Sequence, residues 1–167
     1  RELVQRYPDS PNTHYAYGTF LLQSDPEKAI EELKKELKIS PGHLPAMLQI
    51  AFEYLKQSDW EAARPWAEEA VKIAPDHFAS HRAMGQVLLE TGDVEGAIKH
   101  LERGVKMAPD SPSMRFMLAR AYQRAGRTED AARERLEFRR LERLVRGGRH
   151  GSQAIGGIEV IPEDTDT

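Results

Sequence analysis

The chain has 167 residues, with 24 basic and 27 acidic side chains, a net charge of −3 and 40% apolar content. This suits one folded domain and lacks the broad positive field that draws proteins onto nucleic acid, so no nucleic-acid partner is expected. The absence of cysteine excludes disulfides, zinc-thiolate sites and thiol nucleophiles, and leaves the compartment open between cytoplasm and periplasm. No run approaches the roughly 20 apolar residues of a membrane-spanning helix, so no membrane insertion is expected.

Laid over itself at an offset of 34 residues, the sequence registers with itself, the signature of a repeat architecture. Leu37-Lys38-Ile39-Ser40-Pro41 recurs as Val71-Lys72-Ile73-Ala74-Pro75 and as Val105-Lys106-Met107-Ala108-Pro109. Ala51, Gly85 and Ala119 form one series of small residues, Ala63, Ala97 and Ala131 a second, and Tyr54, Leu88 and Tyr122 a series of larger ones.

In chain order, residues 1–8, with Val4 and Pro8 in phase, read as the last turns of a second helix from an earlier unit. That phase, with Arg1 in place of methionine, predicts a parent chain continuing upstream. Four units follow, at 11–41, 42–75, 76–109 and 110–146, each predicted as two helices of about 13 to 14 residues joined by a short turn. Ser10-Pro11, Asp25-Pro26 and Ser111-Pro112 each set a capping side chain before a proline whose fixed angle suits a first helical turn. Ser24-Asp25, Ser58-Asp59 and Gly92-Asp93 separate the helices of a pair, with Thr128 expected to take the capping role in the last unit. Ile30, Leu33 and Leu37, like Ile98, Leu101 and Val105, fall at helical spacing and give one buried stripe against a charged face. Pro65, inside the second helix of the second unit, is predicted to remove a hydrogen bond and bend that helix. The last unit lacks a proline near Arg143 and runs on through Phe138, Leu141, Leu144 and Val145, as a terminal cap does. Residues 147–167, with Gly147-Gly148, Gly156-Gly157 and Glu163-Asp164-Thr165-Asp166, read as a disordered tail. Its Ile155, Ile158, Val160 and Ile161 are apolar enough for a short docking segment.

Two helices approach closely only where one carries Gly or Ala at the crossing, with a larger side chain filling the gap beside it. One such hairpin cannot bury its own apolar faces, so it stacks on its neighbours. Gly85, Leu88, Ala97 and Pro109 in one unit, and Ala51, Tyr54, Ala63 and Pro75 in the unit before it, resemble the tetratricopeptide repeat family. The resemblance spans about residues 9–146. It implies an all-α fold, an αα superhelix (solenoid) of about four antiparallel helix pairs. Three departures stand out: His81 and Met47 replace the usual tryptophan, Glu36 replaces a small residue, and the first unit is one residue short between Gly18 and Ala29.

The resemblance further implies a concave face, lined by the first helices, that holds an extended or helical peptide. Register places there Asn12, Tyr15, Thr19, Leu22 and Gln23, then Leu48, Phe52, Leu55 and Lys56. Arg82, Gln86, Leu89 and Glu90 follow, and then Phe116, Arg120, Gln123 and Arg124. Such a face is apolar at one end and basic at the other, fitting a protein or peptide partner that offers an apolar or acidic segment. The plainer reading is that Phe52 or Phe116 packs between helices and the arginines solvate a surface. The lysine and asparagine clamp by which some relatives grip a chaperone tail is not matched, because Tyr15, Thr19, Gln49, Ala79 and Ala83 hold those positions.

His77 and His81 are spaced for one helical face but have no third ligand nearby, so a structural histidine is expected and no metal. Ser80 and His81 are adjacent and point apart, which gives no nucleophile and base. The arginines from Arg127 to Arg146 are interleaved with acids, such as Glu129 before Arg133 and Glu142 before Arg146, and read as a solvated face. The expected function is a protein-interaction scaffold without cofactor or catalytic residue. The alternatives are self-assembly into a homo-oligomer and service as a regulatory domain of a larger enzyme.

Overall fold

The computed structural model describes residues 2–154, apart from the side chains of residue 3 and residues 148–154. Among the described residues every regular element is an α-helix. These are α1 (Glu2–Arg6), α2 (Thr13–Leu21), α3 (Pro26–Ile39), α4 (Leu44–Lys56), α5 (Trp60–Ile73), α6 (Phe78–Thr91), α7 (Val94–Met107), α8 (Pro112–Arg124) and α9 (Thr128–Ala154). The pairs α2–α3, α4–α5, α6–α7 and α8–α9 are hairpins, and each hairpin packs on the next. The first helices α4, α6 and α8 also touch in turn, while α1 leans on α2.

The helix starts follow the capping chemistry in most units. Asp25 accepts from Lys28 N at 3.1 Å, Asp59 from Ala62 N at 3.0 Å and Asp93 from Gly96 N at 2.9 Å, each satisfying an amide that the helix leaves without a partner. Two starts differ from expectation. Helix α2 begins at Thr13, not at Ser10-Pro11, and its N-cap Asn12 sits in the left-handed region at φ 67° without a side-chain cap. The cap comes instead from the far end of α3. The wholly buried carboxylate of Glu36 accepts from Asn12 N at 2.8 Å and Tyr15 N at 3.2 Å, placing a negative group at the positive end of α2. This is why a glutamate stands where the family has a small residue. In the last unit Thr128 opens α9 itself, and Arg127 occupies the register of Asp59 and Asp93. Asp130 in the first turn supplies the favourable charge there and pairs with Arg127 at 2.6 Å and with Arg133.

The turn within each later hairpin reverses through one left-handed residue. Gly92 and Gly126 adopt φ 95° and 73°, which glycine does freely, whereas Ser58 adopts φ 61° at the same register and bears the steric cost of its Cβ. Close crossings follow the small residues. A Cβ added at Gly18 would lie 2.9 Å from Leu33 Cγ, and one at Gly85 would lie 2.6 Å from Leu101 Cγ. Both leucines are fully buried, each contributing about 2 kcal/mol by removal from water. One core runs from α4 to α9, a smaller one joins α3 to the start of α4, and Tyr54 and Trp66 border both.

A second tie recurs at the register where the family usually has tryptophan. His14 Nε2 donates to Pro8 O at 2.8 Å, His81 Nε2 to Pro75 O at 2.8 Å and Arg115 Nε to Pro109 O at 3.1 Å. The opposite end of each side chain reaches the second helix of its own hairpin. His14 Nδ1 meets Glu32 at 2.6 Å, His81 Nδ1 meets His100 Nδ1 at 2.9 Å and Arg115 meets Glu134 at 2.9 Å. The second unit has Met47 and Trp66 at these two positions, so one seam is closed by four different chemistries. Helix α5 continues without a break through Pro65, which is exposed, so the carbonyl it frees can turn to water. Helix α9 stays helical past Gly147-Gly148 as far as Ala154, beyond the point where the tail was expected to begin. Ile155, Ile158, Val160 and Ile161 lie outside the described residues.

Candidate protein-binding face

The residues that register assigned to the concave face divide into two groups. Leu48, Leu55 and Leu89 are buried, at 7%, 4% and 0% exposure, and belong to the continuous core. They are therefore corrected from groove residues to core residues. The physical reason is that α4, α6 and α8 pack on one another as well as on their own second helices, and that extra seam takes up the leucines. The remaining assigned residues, Asn12, Tyr15, Thr19, Leu22, Gln23, Phe52, Lys56, Arg82, Gln86, Glu90, Phe116, Arg120, Gln123 and Arg124, keep at least part of their surface accessible.

Their contacts are specific. The Tyr15 and His43 ring centroids lie 4.7 Å apart. His43 also reaches Asn12 Oδ1 at 2.9 Å and accepts from Ala46 N at 3.1 Å, so it fixes the start of α4 and an edge of the face together. The Arg82 guanidinium stacks over Phe52 with its carbon 4.5 Å from the ring centroid. Its Nε is buried without a hydrogen-bond partner among the described residues, and burial pushes the guanidinium below its ordinary value. Phe116 is 47% exposed and tilts against Phe138 with centroids 5.6 Å apart.

The basic end is less basic than residue types alone imply. Glu90 on α6 accepts from Arg120 at 2.7 Å and from Arg124 at 3.0 Å, while Arg124 also bonds Leu89 O at the end of α6. Gln123 accepts from Arg135 at 2.8 Å. Three of the four fourth-unit residues are thereby engaged within the protein. The sequence carried a signal for this: Glu90 and Arg124 are 34 residues apart, one repeat, which sets them side by side on neighbouring first helices.

His81 of α6 ties its hairpin together, whereas His77 Nδ1 and Ser80 Oγ are buried without a hydrogen-bond partner among the described residues. Both ring nitrogens of His81 are occupied, by Pro75 O and His100, which leaves neither to act as base for the buried Ser80. Burial, then the neighbouring His81 and Arg103, push His100 below its ordinary value, against a smaller opposing effect of Asp93. Among the described residues no group of three or more histidine and acidic side chains is arranged to hold a metal ion, and no helix is long and apolar enough to cross a membrane.

The tetratricopeptide repeat family profile matches residues 48–112 and 82–137, together more than half of the chain. The chain belongs to the tetratricopeptide repeat family. Solved structures agree with the tetratricopeptide solenoid in fold. MamA, residues 41 to the end, from Desulfovibrio magneticus RS-1 aligns with TM-score 0.73 at 23% identity, covering 84% of this chain and 80% of that one. A MamA RS-1 double mutant aligns with TM-score 0.75 at 23% identity over 85% and 80%, and a further crystal structure of MamA with TM-score 0.74 at 18% identity over 87% and 86%. At these identities the likeness is one of architecture. No curated protein matches the chain by sequence. As a member of a family of interaction modules, this chain is a protein-interaction scaffold in the general sense.

Proposed function

We propose that the chain holds an acidic segment of a partner protein across the first helices α4, α6 and α8, with Arg82 as the central contact. The observation that carries this reading is the state of Arg82. It is stacked on Phe52, partly desolvated, with a buried Nε that has no partner, and it forms no ion pair among the described residues. A carboxylate brought by a partner meets a charge that has already lost much of its water, so the charge-assisted bond is stronger than at a solvated arginine. Phe52 and Phe116 offer aromatic surface on either side in sequence, and Thr19, Gln86 and Gln123 offer polar edges. Arg120 and Arg124 hold Glu90 and position α8 against α6 in this reading, in place of contacting the ligand directly. No reaction is assigned to the site.

A displayed random-peptide library selected on the whole chain tests the proposal. Enriched peptides should carry an acidic residue beside apolar ones, and Arg82→Glu should weaken them by about tenfold or more, with the circular dichroism of the variant unchanged. Peptides that bind Arg82→Glu as tightly as the parent would remove the face from consideration.

A second reading, self-assembly, has an observation of its own. Phe20 is 77% exposed at the register where Glu53, Val87 and Ala121 are buried, so the first hairpin presents an aromatic that a second copy, or a unit preceding it in a longer chain, would cover. Light scattering over a range of concentrations decides it. A monomer at every concentration excludes this version, and assembly that disappears in Phe20→Glu supports it.

A further inference from the structure

The start of α2 forms a fixed corner beside the binding face. Asn12 stands at the N-cap yet caps nothing with its side chain, because Glu36 already accepts from the main-chain amides of Asn12 at 2.8 Å and Tyr15 at 3.2 Å. The freed side chain is held from the start of α4 instead. His43 Nδ1 accepts from Ala46 N at 3.1 Å, so Nε2 carries the ring proton and donates to Asn12 Oδ1 at 2.9 Å. That bond sets the orientation of the amide, with Nδ2 turned away from His43. Tyr15 leans on the same ring, with centroids 4.7 Å apart. Asn12 is exposed and Tyr15 half-buried, and neither Asn12 Nδ2 nor the Tyr15 hydroxyl has a partner among the described residues.

We propose that this corner is a second anchor for the partner segment assigned to Arg82, with Asn12 Nδ2 donating to a main-chain carbonyl of that segment. The anchor rests on the reading of Arg82 given above, and it extends the site from α4, α6 and α8 to α2. Charge selects the acceptor. The Glu36 carboxylate sits directly behind Asn12, and Glu32 is buried one turn away on α3, so an acidic side chain brought to the corner would meet like charge. A main-chain carbonyl avoids that repulsion, and an extended segment presents one at every residue. Preorganisation strengthens the bond. Asn12 is fixed through both its main chain and its side chain, so little rotamer freedom is lost on binding.

Reach sets the spacing. From α2 across α4 to α6 is two helix spacings, about 20 Å, which about six residues of extended chain cover. The segment therefore carries its acidic residue at Arg82 and passes its main chain over Asn12 about six residues away, with no acid at that end.

Asn12→Asp separates the donor from the tie, since it keeps an oxygen for His43 and replaces the N–H donor by a second oxygen. The probe is the tightest peptide from the library selection described above, synthesised at full length and shortened from either end to about three residues from its acid. At about 0.5 M salt, where long-range repulsion is screened, Asn12→Asp should weaken the full-length peptide about tenfold, with circular dichroism unchanged. One of the two shortened peptides should bind the parent about tenfold more weakly and be indifferent to Asn12→Asp. A loss that disappears in salt would be the reach of the new charge alone and would overturn the proposal. An equal loss for the full-length and both shortened peptides would overturn it as well. If Arg82→Glu weakens the full-length peptide and Asn12→Asp does not, the anchor falls and the reading of Arg82 stands; if neither weakens it, both fall.

Discussion

The third hairpin, α6–α7, and the fourth, α8–α9, follow one template and differ in what lies beyond them. In the third, Gly85 crosses against Leu101, Gly104 admits Met114 from α8, and Val105 is buried. In the fourth, the corresponding residues are Ala119, Arg135, Phe138 and Arg139. Leu101, Gly104 and Val105, buried where α8 follows, correspond to the bulky or charged Arg135, Phe138 and Arg139, whereas Gly85 gives way only to the small, buried Ala119. The residues that close a hairpin on itself, Ala97 and Ala131, stay small and fully buried in both. The template therefore carries two separable instructions, one for closing a hairpin and one for receiving the next.

Exchanging residues between the two hairpins sharpens this comparison. The largest effect is expected from Gly104→Phe, which copies Phe138 into a position where even a Cβ would collide with Met114 Cε. It should cost about 3 kcal/mol or more in chemical denaturation, whereas Phe138→Ala, at the open end, should cost about 1 kcal/mol or less. Equal losses would break the distinction between interior and end. Gly85→Leu comes next, with an expected loss of about 2 to 3 kcal/mol through overpacking against Leu101. A variant as stable as the parent would contradict the close crossing.

The smallest effect separates the ties of the two hairpins by pH. An imidazole in the unfolded chain takes up its proton near pH 6.5, whereas His100 in the fold does so only at lower pH, because burial and then His81 and Arg103 disfavour the charge. Between those two points the unfolded state binds more protons, so stability falls as the pH falls. This contribution is fully present above about pH 6.5 and is lost below it. Replacing His81 by Met and His100 by Trp, the pair that the second unit carries as Met47 and Trp66, should flatten the melting temperature across that window. Arg115→Met in the fourth hairpin, which breaks the pair with Glu134, should lower the melting temperature and leave its dependence across that window unaltered. A window equally steep in the His81 and His100 double variant would remove the histidine pair as its source.

Much of the architecture was written in the order of residues. The 34-residue register, the aspartate caps and the small-residue series are local or periodic, because caps and crossings are satisfied by neighbours in the chain or by the same residue one unit away. The face was legible only in part. Phe52, Arg82 and Phe116 keep accessible surface while Leu48, Leu55 and Leu89 do not, and composition cannot separate a leucine that lines a groove from one that packs two first helices together. Glu36 looked like a defect in the repeat until its carboxylate was placed at the start of α2.

By itself, then, the sequence determined a row of helical hairpins, because each hairpin's pattern is completed within one repeat length. Only the tertiary structure decided which charges are spent. Glu90 draws in Arg120 and Arg124 across two helices, His100 completes His81, and Arg82 is left stacked on Phe52 without a carboxylate among the described residues. Those outcomes depend on distances between helices set by side-chain volume and crossing angle, which no single stretch of sequence specifies.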